Sequence, residues 1–131
     1  MYSYGVPKPE RTWAVADKSV FDMEKLLDST CDDKELVAQV AGVFLADIPV
    51  QLVDLEKALA TGDAKTAERV AHSIKGASAT VGGESLRDIA FDCEQLGRDG
   101  RLDELHDKLA DLRARYEELS QALRDEGFVS E

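Results

Sequence analysis

Histidine is scarce in this chain, with 2 among 131 residues. One of them, His72, lies in the run Ala71-His72-Ser73-Ile74-Lys75-Gly76-Ala77-Ser78-Ala79-Thr80-Val81-Gly82-Gly83. A neutral imidazole is a competent nucleophile near pH 7. It can attack an acyl phosphate and become a phosphoramidate, which brings negative charge to a ring that had none. A cation nearby then matters. Lys75 follows His72 by three residues, one helical turn, and is placed for a charge-assisted hydrogen bond to the new group. Arg69 adds to the same local field. Asp and Glu make up 27 of the 131 residues, yet none occurs from Arg69 through Gly83. Such a window favours an anionic guest. Glu68 is the nearest acid. It either accepts a proton from the ring and orients it or is simply solvated, and the solvated reading is preferred.

The element that presents these residues must be a helix. Val70, Ala71, Ile74, Ala77, Ser78 and Val81 fall on one face at 3.6-residue periodicity, and His72 falls about 140° away. Its surface neighbours are Glu68, Lys75, Gly76 and Ala79. Gly76 is costly in a helix interior, by about 1 kcal/mol relative to alanine. Beside a histidine it leaves the ring without a neighbouring side chain, so another protein surface can approach. The competing readings are an ordinary solvated histidine and a glycine that faces a neighbouring helix.

The surrounding pattern is helical throughout. A short helix is expected over about 20–28, capped by Ser19. A second runs from Asp32 or Asp33 to about Ala60, with an apolar stripe of Leu36, Val40, Val43, Phe44, Ile48, Leu52, Leu55 and Leu59. Pro49 lies inside it, removes the amide that would bond to Leu45 and should kink it. Thr61-Gly62-Asp63 reads as a stop followed by an N-cap. A third helix spans about 64–80 and ends at Gly82-Gly83. A fourth spans 84 to about 97, and a fifth about 102–125. The fifth carries Leu102, Leu105, Leu109, Leu112, Tyr116, Leu119 and Leu123, an alternating three-four seam. No segment alternates with period two. The expected fold is all-α: an antiparallel up-down-up-down four-helix bundle with a short extra N-terminal helix. Residues 1–18, with Pro7 and Pro9, read as an irregular arm that packs Trp13 onto the body, and 19–131 form the domain.

Bulk properties remove several function classes. The net charge of −11 disfavours nucleic acid and anionic membrane surfaces. No apolar run approaches the ~20 residues of a membrane span, and the N-terminus lacks a hydrophobic signal core. A cytoplasmic location with two reduced cysteines, Cys31 and Cys93, is the expectation. A metal-binding bundle would need Glu-x-x-His pairs on two helices. Asp103-x-x-His106 is the nearest approach and occurs once, so no metal site is expected.

His72 through Ala79, followed by Val81-Gly82, resembles the signature of the histidine-containing phosphotransfer (HPt) domain. The likeness extends to Phe44-Leu45-Ala46-Asp47-Ile48-Pro49, to Leu52–Leu59, to Gly62-Asp63, and to Leu86 through Cys93 with Glu94, Leu96 and Gly97. It covers about residues 20–120. The resemblance implies a bacterial phosphorelay intermediate. Its histidine, His72, takes a phosphoryl group from the aspartate of a receiver domain on Nε2 and hands it to a second receiver. Lys75 would help hold that group, and Gly76 would give the receiver clearance. Arg69, Glu68, Ala79, Arg87 and the Gln95 region would complete the docking face. No cofactor is implied in this chain, because the receiver contributes Mg²⁺ and most of the transition-state stabilisation. Implied partners are response-regulator receivers and a sensor or hybrid histidine kinase, with this chain as a monomer. Two alternatives stand beside this reading. One is a phosphoacceptor domain excised from a hybrid or chemotaxis-type kinase; the other is a helical scaffold without chemistry at His72.

Overall fold

The computed structural model describes residues 19–128, and the expected arm over 1–18 lies outside them. Six helices follow in order: α1 Met23–Ser29, α2 Lys34–Thr61, α3 Ala64–Thr80, α4 Glu84–Arg98, α5 Leu102–Asp107 and α6 Leu109–Asp125. There is no strand among the described residues. The chain is an all-α bundle of α2, α3, α4 and the α5–α6 pair, with α1 as the short extra helix.

Local chemistry sets the boundaries. Asp33 caps α2 by accepting from the amides of Glu35 and Leu36. Gly62, at φ 72°, ends it in the left-handed region, and Asp63 caps α3 by accepting from the Thr66 amide and hydroxyl. The cap of α1 differs from expectation. Asp22, not Ser19, accepts from the Glu24 amide, so the helix starts later than expected. The Asp22 amide donates to the Gly82 carbonyl at 2.8 Å. Gly82 has φ 80°, and a Cβ there would lie 2.3 Å from the Asp22 carbonyl oxygen. Only glycine permits this crossing of α1 over the α3–α4 turn.

The core stripe of α2 also departs from expectation in its first half. Val37, Ala41, Phe44, Leu45, Ile48, Leu52, Leu55 and Ala58 are buried, whereas Leu36 and Val43 are exposed. Beyond Phe44 the two patterns share Ile48, Leu52 and Leu55, while Leu59 is only partly buried and Leu45 and Ala58 join the core instead. α2 also contains an 18-residue window of mean hydropathy 1.8, so by length and composition it could cross a membrane, contrary to expectation. Here its inward face fills the bundle core. The helix runs through Pro49 without interruption. The proline has no amide to offer the Leu45 carbonyl, and the Tyr116 hydroxyl of α6 donates to that oxygen instead, at 3.1 Å.

The expected fifth helix is two. It breaks at Lys108, whose amide donates three residues back to Leu105 rather than four. The seam stays in phase across the break. Leu105, Leu109, Leu112, Tyr116, Leu119 and Leu123 are all buried in the chain's own core, so the seam is not free for a second chain.

Helices α3 and α4 make the closest approach, and Gly97 explains it. A Cβ at Gly97 would lie 2.9 Å from the Glu68 amide nitrogen. Bare backbone against backbone draws α4 against the face of α3 that carries the candidate residues.

Candidate functional site

His72 stands on the outer face of α3 with its side chain 66% exposed. Its Nδ1 lies 2.8 Å from Oε2 of Glu94 on α4, whose side chain is only 5% exposed. Sequence reading had this carboxylate within the family likeness but gave it no role. Burial pushes the Glu94 carboxyl up, but hydrogen bonds and charge from Lys75 and His72 outweigh it and hold the group below its ordinary range. An ionised carboxylate only accepts. The Nδ1 proton therefore donates to Glu94, and the lone pair falls on Nε2, which has no partner among the described residues. The ring is thus fixed in tautomer and orientation, with its nucleophilic nitrogen outward.

Lys75, expected from the sequence to help hold the phosphoryl group, is engaged within the chain as well. Its Nζ lies 2.7 Å from the other Glu94 oxygen, Oε1, and 5.2 Å from the centre of the Phe91 ring. Oε1 is sealed from solvent, and the Lys75 ammonium is what compensates its charge. Arg98 Nη2 stands 3.6 Å from Oε2. One buried carboxylate thus collects three basic side chains from two helices.

Glu68 does not touch the ring. It accepts from Arg98 Nε at 3.0 Å, so the solvated-or-orienting choice resolves into an ion pair between α3 and α4. The acid-free window also needs correction in three dimensions, because α4 supplies an acid where α3 has none. Gly76 does not face a neighbouring helix: a Cβ there would have no atom within 4 Å. Ala79 and Arg69 are exposed on the same helix. Arg87 pairs with Asp88 at 3.0 Å, and Gln95 is half-buried. Phe91, 46% exposed, and Arg87 of α4 form with Lys75, Gly76 and Ala79 of α3 a shallow depression between the two helices.

Two residues of this site lay beyond the sequence reading. Glu94 follows Ala90 by four and Cys93 by one, and so sits on the buried stripe of α4. An acid in a core phase, with a lysine and a histidine one helix away, was the available signal. Phe91 is an aromatic on the exposed face of the same helix, where its ring meets the Lys75 ammonium. Among the described residues no three His, Cys, Asp or Glu side chains converge in a way that would hold a metal.

Comparison with known proteins identifies the family and the fold. The family model of the Hpt domain matches residues 39–122. The phosphorelay intermediate protein rdeA of Dictyostelium discoideum is 25% identical over 105 residues, which is 80% of this chain and 41% of that protein. The chain thus spans about two fifths of the curated relative's length. Histidine-containing phosphotransfer protein B (HptB) of Pseudomonas aeruginosa PAO1 superposes with a TM-score of 0.76 at 23% identity, covering 81% of this chain and 92% of that one. The HPT domain of a sensor hybrid histidine kinase from Shewanella gives 0.71 at 16% identity, covering 83% and 94%. At these identities the two structures establish the shared bundle. The family match spans well over half of the sequence and includes α4 and all of α3, with His72 inside it: the chain belongs to the Hpt domain family.

Proposed function

We propose that this protein is a phosphorelay intermediate that accepts a phosphoryl group on His72 and passes it on. The observation that carries the reading is the exposed imidazole whose Nδ1 is tied to buried Glu94, leaving Nε2 bare. Nε2 attacks the phosphorus of an aspartyl phosphate on a receiver domain. The N–P bond forms as the acyl O–P bond breaks, and the aspartate carboxylate leaves with the bonding pair. The ring keeps its Nδ1 proton and becomes cationic, and the Glu94 carboxylate stabilises that charge. Return of the phosphoryl group to a second receiver reverses these steps. Mg²⁺ belongs to the receiver's acidic site, and this chain contributes the nucleophile and its orientation.

Lys75 has two possible anionic partners in this scheme, Glu94 and the arriving phosphoryl oxygens. Its single stem reaches both, so it follows the charge. Gly76 and Ala79 form the low ground over which the receiver approaches, with Arg69 and Arg87 at the edges. Glu68 acts through Arg98. The partners are receiver domains and a histidine kinase, and the protein works as a monomer, since its leucine seam is used internally.

The test is phosphotransfer from a phosphorylated receiver of the same pathway. The protein should acquire acid-labile, base-stable phosphate. His72→Gln should abolish labelling while circular dichroism and thermal unfolding stay unchanged. Labelling that persists in this variant would move the site elsewhere, and absence of labelling with every receiver tried would favour a scaffold.

A further inference from the structure

The carboxylate that orients His72 has a second suitor. Arg98 Nη2 stands 3.6 Å from Glu94 Oε2, the same oxygen that meets His72 Nδ1 at 2.8 Å. That separation is beyond hydrogen-bond range, whereas Arg98 Nε donates to Glu68 Oε2 at 3.0 Å. The guanidinium thus lies between two carboxylates and is bonded to one. The backbone puts it there. Gly97, the residue before it, lies against Glu68, where a Cβ would come within 2.9 Å of the amide nitrogen. Glu68 sits one helical turn before His72 on α3, so the end of α4 delivers Arg98 beside the histidine's own helix.

A shift of about 0.7 Å would bring Nη2 to ordinary hydrogen-bond distance from Oε2. The ring would lose twice by it. A second cation on Oε2 weakens the acceptor that fixes the Nδ1 proton. A guanidinium drawn toward the imidazole also opposes the positive charge that the ring carries while phosphorylated. Arg98 cannot escape the conflict by losing its proton, because a guanidinium stays charged in proteins. Only its position can be controlled. Lys75 raises no such conflict, since it pairs with the other oxygen, Oε1.

We infer that Glu68 is a positioning residue: by holding Arg98 Nε it keeps the guanidinium off Glu94 Oε2 and reserves that oxygen for His72 Nδ1. Its consequence for transfer rests on His72 being the phosphoacceptor, but the arrangement itself belongs to the unmodified chain. The pair of exposed Arg98 and half-buried Glu68 adds little to stability, so its removal should leave the fold intact.

The test is the tautomer of the neutral His72 ring, read by nitrogen-15 spectra of the full chain. His106, the one other histidine, supplies the signals of a ring outside this network. In the native protein the proton should reside on Nδ1. In Glu68→Ala the freed guanidinium should close on Oε2, and His72 should show a mixture with the Nε2–H form while His106 is unchanged. Arg98→Ala should keep the Nδ1–H form, and the double variant should regain it. Labelling of Glu68→Ala by a phosphorylated receiver should be about fivefold slower, equivalent to roughly 1 kcal/mol, in kcat rather than KM, and removal of Arg98 as well should recover most of that loss. Circular dichroism checks that each variant is folded. Three results would overturn the inference: an unchanged tautomer in Glu68→Ala, a double variant no better than Glu68→Ala, or loss of the Nδ1–H form in Arg98→Ala alone. The last would make Arg98 a support of the ring. Because the tautomer is read without phosphate, it decides the matter even if no receiver labels the chain.

Discussion

Glu94 decides the chemistry of the histidine it touches. A glutamine at this position would keep the size of the side chain but lose its charge, and with it the stabilisation of a cationic ring. A charge-assisted hydrogen bond exceeds a neutral one by roughly 1–2 kcal/mol. Glu94→Gln should therefore slow labelling of His72 by about five- to thirtyfold, measured by rapid quench, with the fold intact. The same group sets an acid dependence. Its folded-state pKa lies below its ordinary value of 4.5, so its stabilising contribution is complete above that value and is lost as pH falls through the lower, folded one. Urea midpoints taken from pH 6 down to 3 should fall more steeply for the native protein than for Glu94→Gln. A steeper fall in the variant would contradict the sign of the shift. His72, Lys75 and Gly76 were legible in the sequence because their spacing lies within one helix. The role of Glu94 was not, because its separation of 22 positions from His72 closes up only when α4 packs on α3.

Two glycines on these paired helices have opposite roles at the scale of the element. Gly97 holds the interface: a methyl group there meets the backbone of Glu68. Gly97→Ala should force α3 and α4 apart and cost about 1–3 kcal/mol, visible as a lowered midpoint in urea. Gly76 faces open space. Gly76→Ala should raise stability by about 1 kcal/mol through helix propensity while slowing transfer from the receiver. A variant that is both more stable and as fast would remove the clearance role. Helix existence and most boundaries were readable from the period of apolar residues and from caps such as Gly62-Asp63. The rotated stripe at the start of α2 was not, because Leu36 and Val43 satisfy a helical period without facing the core. The break at Lys108 left no sign either, since neither glycine nor proline marks it.

Across the whole molecule, the two cysteines report on opening. Cys31 is exposed, whereas Cys93 is buried and its thiol is pushed up to about 11, chiefly by that burial. Native protein at pH 8 should take one equivalent of a thiolate-seeking reagent rapidly at Cys31. Labelling of Cys93 should follow only the rate of bundle opening, read by mass spectrometry. Fast modification of Cys93 in native buffer would show a looser core than described. The bond between Tyr116 and the Leu45 carbonyl has its own consequence, because the two partners stand 71 residues apart. A proline took a rung from one helix, and the matching rung is supplied from near the other end of the chain. The middle of the second helix is therefore complete only when the last helix has docked, and fraying at the C-terminal end should be felt first as faster amide exchange around Pro49.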